Sequence, residues 1–146
     1  KTIHNLIWVP IFLIGVVSLA FGSIWILHPE PWLLDQPANE ALLQTSFNEL
    51  FSDDANKFLP SYLIVIYRFF GLWLITIGLL VLSYVKITKL GTKQARLSIH
   101  STLFLTLISM YYLIFKYLPT SPLIPTLYIF TLFLGLSIYF SSRITS

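Results

Sequence analysis

The sequence predicts an all-α polytopic membrane protein: four transmembrane helices in one bundle, a single domain over 1–146, with an amphipathic helix in the outer loop. Three observations predict it. The chain is 56% hydrophobic and only 10% charged, with a mean hydropathy of +0.80, whereas soluble domains carry about 25% charged residues. Four apolar stretches reach or approach the roughly 20 residues needed to cross a bilayer. The charges are also segregated. All six acids fall between Glu30 and Asp54, while Lys1, Lys86, Lys89, Lys93, Arg96 and Arg143 lie elsewhere.

The first span runs over 3–27. It continues through Ile24, Trp25, Ile26 and Leu27, too long for the apolar core of a signal peptide, so a retained span is expected. Pro10 removes one backbone donor and bends it near one end. An outer loop over 28–60 follows. Within it Leu43, Phe47, Leu50 and Phe51 recur at i, i+4, i+7 and i+8, one apolar helical stripe. That stripe lies on the membrane surface or caps the bundle; its other reading is docking of a partner. The second span covers 61–85, the third 97–118 and the fourth 123–140. Pro122 and Pro125 suit the first turn of the fourth.

The connector KITKLGTKQAR is short and basic, and the positive-inside rule places it in the cytoplasm with both termini. The expected location is the bacterial inner membrane. The absence of cysteine excludes disulfides, thiolate metal sites and cysteine nucleophiles. The basic residues are too few and scattered for a nucleic-acid surface.

Glycines repeat at seven-residue spacing in the first two spans: Gly15 and Gly22, Gly71 and Gly78. Each pair shares a face, which Ser18 joins on the first span, and small residues let membrane helices approach closely. Tight packing of spans one and two is expected, with Gly15 and Gly71 both near the midplane. The third span carries Ser98, Thr102, Thr106, Ser109, Tyr112 and Lys116 along one stripe, expected to face the bundle as hydrogen-bonding glue, or to line a path for a ligand.

The first span ending in LHPEP, the second span YRFFGLWLITIGLLVL and the compact length resemble small DoxX-like bacterial membrane proteins. The resemblance implies a four-helix bundle and little chemistry; the acidic loop departs from the compact form.

Candidate sites are few. Arg68 enters the second span near its outer end. An intramembrane charge is a candidate site, although helical side chains lean toward the N-terminus and this guanidinium can snorkel to headgroups or a loop acid. Arg68, Tyr67, Lys116 and Tyr112 form the candidate ligand or partner site. His4 and His100 sit near the same end of their spans and are the candidate haem ligands. With the polar stripe turned inward, His100 faces lipid or another subunit. No metal-site spacing and no catalytic motif occurs, and no cofactor is expected beyond the quinone, pigment or haem readings. The leading expectation is a non-catalytic accessory or assembly subunit of a larger membrane complex, with other membrane subunits and lipids as partners. Its alternatives are an outer-leaflet binder of a lipid, quinone or pigment, and a haem-containing electron-transfer protein.

Overall fold

The computed structural model describes residues 2–144; Lys1, used above for topology, lies outside them. The fold is all-α, with six helices and no strand among the described residues. They are α1 (Thr2–Leu27), α2 (Gln36–Leu43), α3 (Phe47–Ser52), α4 (Leu59–Thr88), α5 (Lys93–Tyr117) and α6 (Ile124–Ser142). Four of these, α1, α4, α5 and α6, are long and apolar enough to cross a membrane. The chain is therefore an integral membrane protein. At 1.5 Å per residue the 26 residues of α1 span about 39 Å.

α1 packs between α4 and α6, and α5 packs on α6. The α1–α4 crossing is set by glycine. A Cβ on Gly22 would meet the Gly71 carbonyl oxygen at 2.6 Å, and one on Gly71 would meet the Gly22 carbonyl oxygen at 2.8 Å. The same reciprocity joins Gly78 to the Gly15 carbonyl oxygen at 2.8 Å and Gly15 to the Gly78 carbonyl oxygen at 3.2 Å. The partners are thus Gly22–Gly71 and Gly15–Gly78. Gly15 and Gly71 lie on different rungs of this ladder. Each rung is seven residues from the other on both helices, about 10 Å along the axis. Only backbones without side chains come this close, and van der Waals contact at such range holds helices that lipid does not drive together. Ser18 is buried beside the ladder, with its hydroxyl on the Ile14 carbonyl at 2.9 Å.

Two expectations about helix faces are corrected. On α5 the buried residues are Ala95, Arg96, Ile99, His100, Leu103, Leu107 and Ile114. The stripe of Ser98, Thr102, Thr106, Ser109, Tyr112 and Lys116 is exposed. Its hydroxyls do not need the bundle, because Thr102, Thr106 and Ser109 each donate to the carbonyl four residues back at 2.9–3.0 Å. His100 correspondingly faces inward instead of toward lipid or another subunit.

The outer loop also departs from a single amphipathic helix. It begins with a 3-10 turn at Pro31–Asp35, continues as α2, breaks at Gln44 in the left-handed region (φ 57°), and restarts as α3. Ser46 caps α3 by accepting from the Glu49 amide at 3.1 Å. The break leaves the apolar residues buried to different degrees. Phe47 is buried and stacks on Phe51, which meets Trp32 edge-on. Leu43 stays exposed and Leu50 half-buried. The segment is a folded cap over one end of the bundle, in which Leu43, Phe47 and Leu50 line one groove with Leu59, Leu63 and Tyr67 of α4.

Candidate functional site

The two ends of the bundle differ in chemistry. At the acidic end, polar bonds fasten the cap to the spans. The Asp35 carboxylate accepts from the Ser121 hydroxyl in the α5–α6 turn at 3.1 Å, and both residues are buried. One turn on, the Asn39 amide donates to the Asp35 carbonyl at 2.9 Å and to the Tyr67 hydroxyl of α4 at 2.7 Å. Glu40 accepts from Gln36 at 2.8 Å and from the Phe47 amide at 2.9 Å, bridging the break between α2 and α3. Those bonds hold its carboxyl below the ordinary carboxylate range.

Burial acts oppositely on Asp35. Desolvation raises its carboxyl above the ordinary 3.8, and the Ser121 bond only partly offsets this. Between the ordinary and the raised value the folded chain binds more protons than the unfolded one, so this group's contribution falls as pH rises through that window. Asp35→Asn keeps an acceptor for Ser121 without the buried charge. The expected result is a variant that melts higher than the parent at about pH 7, with the difference closing by about pH 3. A pH series of thermal melts in detergent checks it, and a pH-independent difference would count against the assignment.

The expected ligand site does not assemble. Tyr67 is committed to Asn39. The Lys116 ammonium donates to the Tyr112 hydroxyl at 2.7 Å and lies over the Tyr117 ring. Arg68 is exposed. Of the loop acids, Asp35, Glu40, Glu49 and Asp53 accept from Ser121, Gln36, Thr45 and the Ala55 amide respectively, and none of those bonds is to Arg68. Arg68 at the bundle surface is positioned to snorkel.

Beneath the cap lies a different feature. A cavity of about 60 Å³ is walled almost wholly by apolar atoms of Phe21, Trp25, Phe70, Met110, Leu127 and Phe130, among others. Trp25 is 4% exposed, and its indole N–H takes no hydrogen-bond partner among the described residues. A buried donor left unmade costs about 1–3 kcal/mol. Trp25 also borders a second cavity of about 190 Å³ with Leu34 and Pro122. In the sequence Trp25 is only one apolar residue of the first span, because its isolation depends on which helices surround it.

At the opposite end a buried polar chain crosses three helices. The His100 imidazole Nε2 lies 2.8 Å from the Ser137 hydroxyl, which donates to the Ile7 carbonyl at 2.6 Å. A carbonyl only accepts, so the single hydroxyl proton goes to Ile7 and Nε2 must carry the proton toward Ser137. His4, paired with His100 in the haem reading, is half-buried near the start of α1, a different setting from the enclosed, hydrogen-bonded His100. Nearby, Arg96 is 4% exposed and its Nη1 donates to the Leu90 and Gly91 carbonyls at 3.2 and 3.1 Å. It holds a turn in which Lys89 and Leu90 are left-handed (φ 48° and 51°). The fully buried Leu90 side chain and this guanidinium together stabilise a conformation that costs a non-glycine residue about 1–2 kcal/mol.

Comparison of the chain with protein-family models, curated proteins and solved structures found no match.

Proposed function

We propose that this chain is a non-catalytic accessory or assembly subunit of a larger membrane complex, with both termini cytoplasmic in a bacterial inner membrane. The likeness of its first two spans to DoxX-like proteins belongs to the same reading. One observation carries it: the row of small hydroxyl residues on α5 points away from the chain's own bundle. Ser98, Thr102, Thr106 and Ser109 are exposed, and the last three have their hydroxyls satisfied within the helix. A shallow, self-satisfied strip along a membrane helix lets a second helix approach closely. Elsewhere on the outer surface, α4 displays Phe69, Trp73 and Leu80, and α5 displays Leu105 and Phe115, all at least half exposed.

The test is size in native membranes. In mild detergent the wild-type chain should migrate in an assembly much larger than its own 16.8 kDa. Thr106→Phe, which blocks the strip, should release it as a free chain, while Leu105→Phe beside the strip should not. A wild-type chain that runs alone would defeat the proposal.

A further inference from the structure

The groove between α5 and α6 combines an uncompensated buried cation with an apolar channel. At the basic end, Lys93, Arg96, His100, Ser141 and Ser142, flanked by Leu97, Ile138 and Ile144, line a cleft of about 470 Å³. Among the described residues no carboxylate lines it, and the acidic side chains of the sequence all lie between Glu30 and Asp54. Those acids sit beyond the far ends of α1 and α4 from this cleft, about 30 Å or more along the helices, where their attraction is screened.

Arg96 sharpens the point. It is 96% buried by surface area, being 4% exposed. Only its Nη1 finds partners among the described residues, and these are neutral carbonyls. Arg96 itself lines the cleft, and its Nε and Nη2 are not among the fully enclosed side-chain atoms that lack a partner. A guanidinium held this deeply without a counter-charge is costly. Its planar fork matches the oxygens of a phosphate.

The cleft does not end there. Ile138 also lines an adjoining groove of about 190 Å³ that follows α5 and α6 past Leu134, Gly135 and Thr131, with Phe104, Leu107, Ile108 and Tyr111 on the facing side. Its lining is apolar, and a Cβ on Gly135 would meet nothing within 4 Å. Gly135 therefore does not serve close helix packing, as the α1–α4 glycines do. Its missing side chain widens a channel.

We propose that this groove seats an anionic phospholipid, with the phosphate against Arg96 and Lys93 and an acyl chain over Gly135. The shared chemistry of the head site is an anionic phosphate. The continuity of the apolar channel through Ile138 selects a lipid over a free ion. This seat is independent of the subunit reading and of the cavity at Trp25.

The test uses the full chain in detergent, with dioleoyl phosphatidylglycerol, dioleoyl phosphatidylcholine and inorganic phosphate as probes. Native mass spectrometry should show retention of the phosphatidylglycerol in preference to the phosphatidylcholine. Lys93→Gln, at an exposed position, should weaken that retention about fivefold, the worth of one cation beside an anionic headgroup. Gly135→Phe fills the open groove and should abolish the preference while leaving the melting temperature within a few degrees. Equal retention of both lipids would overturn the proposal. So would stabilisation by inorganic phosphate equal to that by the phosphatidylglycerol and unchanged in Gly135→Phe, because the occupant would then be a free ion. If Gly135→Phe fails to fold, Lys93→Gln alone decides: an unchanged lipid preference overturns the seat.

Discussion

Gly22→Ala is expected to destabilise the bundle by about 2–3 kcal/mol, although alanine is the better helix former by about 1 kcal/mol. The new methyl would lie 2.6 Å from the Gly71 carbonyl oxygen and 2.8 Å from both the amide nitrogen and the Cγ1 of Ile75. Two of those three atoms are backbone, so no rotamer change relieves the overlap and the helices must separate. Separation costs the second rung as well, because Gly15 and Gly78 sit on the same rigid pair of helices. Gly135→Ala is the internal control. The same chemical change there meets open space, so helix propensity alone acts and stability should hold or rise by up to about 1 kcal/mol. Unfolding in a denaturing-detergent titration reads both variants. Equal midpoints for Gly22→Ala and Gly135→Ala would refute the idea that backbone contact holds α1 to α4.

How far this arrangement is legible in the sequence depends on which interaction sets each feature. Four spans are visible because hydrophobic length is a local property of the chain. The seven-residue glycine spacing likewise marks a face without any partner. The register is not local. It depends on how the cap over 28–58 returns the chain to the membrane, and that is why Gly22 meets Gly71 and Gly15 meets Gly78. The hydroxyl stripe of α5 shows where periodicity stops. Period locates a face, but burial depends on whether its polar groups need outside partners. Bonds to carbonyls four residues back leave Thr102, Thr106 and Ser109 free to face outward.

The candidate sites fare similarly. Tyr67 and Lys116 look available as single letters, yet Asn39 and Tyr112 occupy them. Within the cap, the regular spacing of Leu43, Phe47, Leu50 and Phe51 hides the left-handed residue at Gln44, which no breaker residue announces. The features that replace these, the unpaired Trp25 indole and the uncompensated Arg96, are defined by what does not surround them. Composition gives one hint of the second: the acids are all at the other end.

Ser137→Ala is expected to cost about 1–2 kcal/mol, more than loss of one exposed hydroxyl would suggest. Ser137 is fully buried and stands between α5 and α1, accepting from His100 and donating to the Ile7 carbonyl at 130 residues' separation. Removing it harms the two partners unequally. Ile7 lies inside α1, and its carbonyl keeps its own helical bond. The His100 N–H has no such substitute and becomes a buried orphan donor, which is where most of the cost arises. His100→Leu leaves the serine hydroxyl on Ile7 intact and removes the donor together with its need, so its cost is repacking alone, below about 1.5 kcal/mol for a side chain of similar volume. The double variant separates these terms. Once His100 is leucine, Ser137→Ala orphans nothing, so its added cost should fall well below its cost in the wild-type background, giving a coupling of about 1 kcal/mol. Strict additivity in the same denaturation assay would mean that the histidine finds another acceptor, and the three-helix chain would then contribute no specific stability to the basic end of the bundle.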